Sequence, residues 1–110
     1  MNKFIIDGVI YHLFSGKQPY EEYYTAFDFT NYLDAETILS AVVSVIDLAS
    51  PAVDVTATIT TAGSQAITDG TVYVWVKGGS SGHTYKITCK VVCSAGSKHE
   101  LDVILPVVEK

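Results

Sequence analysis

Two apolar runs near the C-terminus, HTYKITCKVVC (83–93) and KHELDVILPVV (98–108), flank Ser94-Ala95-Gly96 and constrain the fold more than any other feature of the chain. A three-residue turn there pairs Cys93 with Ser97, so that partner numbers sum to 190. Tyr85, Ile87 and Cys89 then fall opposite Leu105, Val103 and Leu101, while Lys90 meets Glu100 and Thr88 meets Asp102. Face, charge and register agree together, and a one-residue slip would destroy all three. The segment is therefore expected to form a long antiparallel hairpin. Pro106, which cannot donate to a ladder, belongs at its edge or near its end.

The same period governs most of the chain, and helical spacing is nearly absent after residue 24. TAFDFT (25–30) alternates, with Phe27 and Phe29 on one face. TILSAVVSVID (37–47) is a long β-branched run closed by Ser50-Pro51. VDVTATITT (53–61) gives the cleanest alternation, with Val53, Val55, Ala57 and Ile59 on one side and Asp54, Thr56, Thr58 and Thr60 on the other. SQAIT (64–68) and TVYVWVK (71–77) flank Asp69-Gly70, a tight-hairpin signal. Many short strands separated by turn residues indicate an all-β sandwich or barrel. At the start, FII-DG-VIY reads as a further hairpin turning at Asp7-Gly8. Its arms are apolar at consecutive positions, so either the sandwich or another chain must cover it. The chain divides accordingly into an N-terminal hairpin or arm, residues 1–16, and a β-sandwich domain, residues 17–110.

Composition narrows the function. A chain of 110 residues with net charge −5 and no arginine is a poor nucleic-acid reader, since such proteins lean on arginine for bidentate contacts. No run reaches the roughly 20 apolar residues of a membrane span. MNKFIIDG resembles a signal peptide only until Asp7 interrupts it, so folding in a cytoplasm is expected. Cys89 and Cys93 are four apart in a strand, a span of roughly 13 Å. A disulfide needs Cα atoms within about 7 Å, so both read as small core hydrophobes. His12, His83 and His99 are scattered, with His83 opposite Val107 and His99 opposite Val91, and read as surface or loop residues. No nucleophile–base pair, metal spacing or phosphate loop stands out, and no cofactor is implied. The scattered acids, Asp28, Asp34, Asp47, Asp54 and Asp69 among them, lack the spacing of a calcium loop.

Two aromatic features remain. KQPYEEYYTAFDFTNYL (17–33) holds six aromatics between Tyr20 and Tyr32. Tyr20, Tyr23, Tyr24 and Phe27 follow Pro19 at helical spacing, while Phe27 and Phe29 alternate. One short turn feeding a strand, with the aromatics closing an end of the core, satisfies both spacings. In TVYVWVK, valines at 72, 74 and 76 share one face, and Tyr73, Trp75 and Lys77 share the other. If the valines face the core, Tyr73 and Trp75 face outward as an interface or sugar-stacking platform.

The order of several short motifs carries a resemblance. Lys17-Gln18-Pro19, Phe27-Asp28-Phe29, Glu36-Thr37-Ile38, the T-V-x-V-W-V run (71–76), Gly78-Gly79, Tyr85-x-Ile87-Thr88, Ser94-Ala95-Gly96 and E-L-x-V (100–103) follow one another over residues 17 to 105. Together they resemble small β-sandwich accessory proteins of tailed bacteriophages, some called fibre–tail adaptors. Phe29 stands where tryptophan is common there, Ala35 replaces the glycine before Glu-Thr-Ile, and residues 1–16 make a longer, more apolar start. The resemblance implies an immunoglobulin-like β-sandwich of about seven antiparallel strands. It also implies a non-enzymatic virion component, made in the host cytoplasm, present in multiple symmetric copies and docking onto other phage structural proteins at the neck or tail fibre. Neither nucleic acid nor membrane is an expected partner. Capsid decoration and a carbohydrate-binding module are the alternatives. Expected contacts are Phe4, Ile5, Ile6, Val9, Ile10 and Tyr11 of the hairpin, with Tyr73 and Trp75.

Overall fold

The structure, a computed structural model, describes residues 2–6, 9–13, 17–33, 35–61 and 65–109, with the backbone alone for 2–13 and 51–52. Its strands are β1 (Asn2–Ile6), β2 (Val9–Leu13), β3 (Tyr23–Asp28), β4 (Ile38–Asp47), β5 (Ser50–Asp54), β6 (Ala66–Thr68), β7 (Thr71–Val76), β8 (Thr84–Cys93) and β9 (Lys98–Pro106). A single helical turn, α1 (Thr56–Ile59), and a 3-10 turn at Thr30–Tyr32 interrupt them. Two sheets result, one ordered β1-β2-β9-β8-β4-β5 and the other β3-β7-β6. The all-β reading holds, and two sheets sharing one core fit a sandwich.

The β8–β9 hairpin forms in the expected register, from Thr84↔Pro106 through Tyr85↔Leu105 to Val92↔Lys98. Its turn closes with Cys93 N–H donating to Ser97 O at 2.8 Å and Gly96 N–H to Cys93 O at 2.9 Å. Tyr85, Ile87, Cys89, Val91 and Cys93 all point inward and are buried. Both cysteines are free. β4 pairs with β8 on the other side and turns Val45 into the same core. Across from them stand Phe27 of β3 and Val72, Val74 and Val76 of β7, each at most 1% exposed. Burying each such side chain stabilises the fold by about 1.5–3 kcal/mol.

Residues 53–61 depart from expectation. The strand ends at Asp54, whose Oδ1 accepts both the Thr56 N–H at 2.8 Å and the Thr56 hydroxyl at 2.5 Å. Thr56 Oγ1 in turn accepts the Val45 N–H at 2.9 Å, and one helical turn follows. Of the expected inward set only Ile59 is fully buried, and Val53 is 53% exposed. A short side-chain network with the backbone has outcompeted the ladder.

The Asp69-Gly70 hairpin appears as read, with Thr68↔Thr71 paired and φ of 48° and 83° in the turn. At the N-terminus β1 and β2 pair from Asn2↔Leu13 to Ile6↔Val9, a register that leaves two residues for the turn. Asp7 and Gly8 themselves lie outside the described residues. β2 continues onto β9 through His12↔Val103 and Leu13↔Ile104. That pairing is parallel, as is the bridge Lys17↔Val107, whereas the seven strands β3–β9 pair antiparallel, in line with the expected sandwich strands. Among the described residues no helix is long and apolar enough to cross a membrane.

Candidate functional site: an outward aromatic face on the smaller sheet

The alternation in β7 decides which side chains leave the core. Val72, Val74 and Val76 are buried, so Tyr73 and Trp75 turn outward, as the pattern required. Tyr73 is 39% exposed and Trp75 is half-buried. β3 lies beside β7 with Tyr24↔Trp75 and Ala26↔Tyr73, which brings Tyr24 onto the same face. The Tyr24 and Trp75 rings meet edge to face, centroids 4.9 Å apart at 79°. Such pairs contribute about 0.5–1.5 kcal/mol beyond area burial, which fixes the platform's shape. Trp75 Nε1–H donates to Glu22 Oε1 at 3.1 Å, so a carboxylate borders the rings.

The segment carrying Glu22 is tied down by a buried lysine. Lys17 is fully buried, and its ammonium donates to Gln18 O at 2.8 Å, Pro19 O at 3.3 Å and Gly78 O at 2.5 Å. Its backbone bonds Pro106 O and the Val108 N–H. Burial pulls the Lys17 pKa down, partly opposed by the Glu21 and Glu22 carboxylates. Glu21 closes the next turn, accepting the Gln18 N–H at 2.7 Å, while Glu21 N–H bonds Gln18 O. Gly78 must be glycine here: its φ is 60°, and a Cβ would lie 2.9 Å from Thr58 O. Lys17 thus joins three places, its backbone holding the end of β9 and its ammonium tying the turn before β3 to the loop after β7.

The Tyr20–Tyr32 cluster is not the plug its spacing suggested. Phe27 and Phe29 are buried, but Tyr20, Tyr24 and Tyr32 are 94%, 56% and 51% exposed. Tyr23 is half-buried on the inner face, where burial and then Glu21 raise its pKa. The turn at residues 18–21 is a single hydrogen-bonded turn rather than a helix. Tyr24 and Glu22 join this face although neither was expected there from the sequence. The signal was present in the alternation of 24, 26 and 28 against 23, 25 and 27, but the helical spacing from Pro19 masked it.

The other expected contacts sit far from this face in the topology. Phe4↔Tyr11, Ile5↔Ile10 and Ile6↔Val9 are paired at the edge of the larger sheet, and their side chains lie outside the described residues. His99 is not a surface histidine: it is half-buried opposite Val91, with Nε2 buried and without a hydrogen-bond partner and its ring centroid 5.7 Å from that of Tyr32. His83 Nδ1 pairs with Asp47 Oδ2 at 2.6 Å. Among the described residues no group of three or more His, Cys, Asp or Glu could hold a metal ion.

Two sheets packed on one core, with an aromatic face turned outward, make this a small all-β protein of sandwich type. The family model described as podophage GP4 fiber-tail adaptor protein gp77 matches residues 17–106, and the chain belongs to that family. No curated protein matches it. The matched region contains motifs that meet in space. Lys17 bonds Gly78, and Glu36 accepts the Ser97 hydroxyl and the Ala95 N–H. Thr37 and Ser94 exchange further bonds, so these motif residues hold the frame.

Proposed function

We infer that the chain is a non-enzymatic component of a podophage tail that joins the fibre to the tail, carrying its contacts on the Tyr24–Tyr73–Trp75 face. Family membership over residues 17–106 supports the adaptor role, and the outward aromatic face is the observation that supports this choice of surface. Aromatic side chains held on a sheet lose little entropy on docking and bury large areas, as interface anchors do. The body formed by β3–β9 we read as an immunoglobulin-like sandwich. The hairpin β1–β2, through Phe4, Ile5, Ile6, Val9, Ile10 and Tyr11, forms a second contact, docking in multiple symmetric copies onto other virion proteins. The exposed aromatics also suit capsid decoration or sugar stacking, but the family favours the tail.

The test supplies purified protein to particles assembled without it and counts attached fibres. Wild type restores attachment, Tyr73→Ala/Trp75→Ala loses at least tenfold, and deletion of residues 1–13 loses incorporation. Normal attachment by the double variant sinks the face, and normal incorporation by the deletion sinks the hairpin. Binding of the wild type to a glycan array, abolished by Trp75→Ala, would favour the carbohydrate reading instead.

A further inference from the structure

An open sheet edge is a template for another strand, and proteins blunt such edges with proline, lysine, bulges or brevity. Among the described residues, three of the four sheet edges are blunted. β1 carries Lys3, β6 is three residues long, and β5 contains Pro51 and meets β4 across a register shift. The fourth, β3, runs YYTAFD with no proline, no lysine and unbroken register against β7. Among the described residues it has a neighbouring strand on one side only.

The ladder tells which backbone groups are left over. Phe29 N–H donates to Gly70 O at 3.0 Å, and this pair continues the register of Phe27↔Val72 and Thr25↔Val74. Hydrogen-bonded and non-hydrogen-bonded pairs alternate in an antiparallel ladder. Residues 23, 25 and 27 therefore bond β7, and Tyr24, Ala26 and Asp28 turn their N–H and C=O groups to the open side.

Charge says what kind of strand fits. Exposed Glu22 and Asp28 stand at the two ends of this edge, with the Tyr24–Trp75 pair between them on the outer face. Lys77 lies on the same outward face, opposite Glu22 just beyond the Tyr23↔Val76 pair but one strand in from the open edge, while Lys17 is buried and bonded to three carbonyls. Carboxylates and aromatic faces both favour cations. A second copy of this chain would instead bring acid toward acid, on a molecule of net charge −5.

We propose that β3 accepts an extended basic strand of the tail partner. The strand adds to the sheet through Tyr24, Ala26 and Asp28 and lays lysine or arginine over the Tyr24–Trp75 rings between Glu22 and Asp28. The proposal rests on the adaptor reading and is tested in the same particles. Ala26→Pro removes an outward N–H and obstructs the incoming strand, yet breaks no bond to β7. With its melting close to wild type, it loses attachment at least tenfold. Glu22→Lys/Asp28→Lys loses a similar factor, and wild-type attachment weakens as salt rises. Wild-type attachment by folded Ala26→Pro overturns strand addition, and wild-type attachment by the charge-reversed variant overturns the basic partner. Should Ala26→Pro fail to fold, Ala26→Lys sets a like charge against the strand and must show the same loss. If Tyr73→Ala/Trp75→Ala fails to attach while the Ala26 variant attaches normally, the aromatic face stands and strand addition falls. If all attach normally, both readings fall.

Discussion

The two sheets are alike on the inside and unlike on the outside. Inward, Ile87, Cys89 and Val91 of β8 and Val72, Val74 and Val76 of β7 are buried to the same degree. Outward, the larger sheet shows paired polar groups. Thr88 Oγ1–H donates to Asp102 Oδ1 at 2.5 Å, and Lys90 lies 3.7 Å from Glu100, although Val42 and Val92 stand among them. The smaller sheet shows Tyr24, Tyr73 and Trp75 at the corresponding positions. Folding requires only the inner faces. The outer aromatics, whose direction the fold sets and which add little to the core, are the residues proposed to meet a partner.

The sharpest way to break this contrast is to strip each outer face in turn. Tyr73→Ala/Trp75→Ala should reduce fibre attachment at least tenfold while the protein stays folded, since neither side chain is in the core. Thr88→Val/Lys90→Ala on the larger sheet should leave attachment unchanged at a cost of about 1–3 kcal/mol, mostly from the lost Thr88–Asp102 hydrogen bond, since an exposed ion pair contributes only roughly 0–1 kcal/mol. Equal losses from both variants, measured in the same particles, would erase the distinction between the faces.

How far this contrast is legible in the sequence depends on contact range. The β8–β9 register follows from complementary patterns only three residues apart, and the outward aim of Tyr73 and Trp75 follows from one strand's alternation. Tyr24 joins Trp75 through a pairing that links residues 51 apart, which no local pattern specifies. The Thr-rich run at 53–61 misleads for the opposite reason. Its alternation is perfect, but Asp54 and Thr56 bond each other and the backbone of β4. Three-dimensional competition of that kind leaves no periodic trace. The motifs shared with the family proved easier to recognise than to interpret, since Lys17, Gly78, Glu36 and Ser94 brace the frame and do not belong to the aromatic face.

Lys17 is where the two sheets are coupled, and removing its ammonium tests that coupling. Lys17→Met keeps most of the volume but leaves the carbonyls of Gln18, Pro19 and Gly78 without their shared donor. An unsatisfied buried group costs about 1–3 kcal/mol, so a total near 3 kcal/mol and a fall of more than about 10 °C in Tm are expected. A melting curve unchanged from wild type would mean that water replaces the ammonium, and that the turn before β3 is held by other contacts.

The dependence of stability on pH separates the buried from the exposed groups. Burial pushes the Cys89 thiol up to about 12 and raises Tyr23 on the opposite sheet. In the unfolded chain a thiol ionises near its ordinary value of about 8.5. The folded state therefore binds more protons across that window. The contribution is complete below the unfolded value and lost as pH rises toward about 12. On the acid side, the Thr30 hydroxyl and N–H hold Asp28 below its ordinary range. The Ala49 N–H and then His83 do so for Asp47, and Thr56 does so for Asp54. Their contribution is present above about pH 4 and fades as pH falls through the lowered values. Thermal melts should give a plateau with both limbs, and Cys89→Ala should flatten the alkaline one. Alkylation of Cys89 at neutral pH should proceed only as fast as the protein opens.

The smallest effect tests the frame of the larger sheet at its own strained point. Ala35 has φ of 59°, in the left-handed region, immediately before Glu36. Glu36 Oε1 accepts the Ala95 N–H at 3.0 Å, and its two oxygens accept the Ser97 hydroxyl at 2.9 and 2.7 Å. These bonds hold the β8–β9 turn, and Ala35 immediately precedes the residue that makes them. For an L-residue the left-handed backbone costs roughly 1–2 kcal/mol, whereas glycine adopts it freely but loses more entropy on ordering, about 0.5–1 kcal/mol. Ala35→Gly should therefore raise stability by about 0.5–1 kcal/mol, read as a higher denaturant midpoint at constant slope. Glycine is the residue that resembling phage proteins commonly carry before Glu-Thr-Ile. Fibre attachment should not change, because this turn lies on the sheet that does not carry the aromatic face. A gain in stability accompanied by altered attachment would show that the two sheets report to each other, and that the outer faces are not independent.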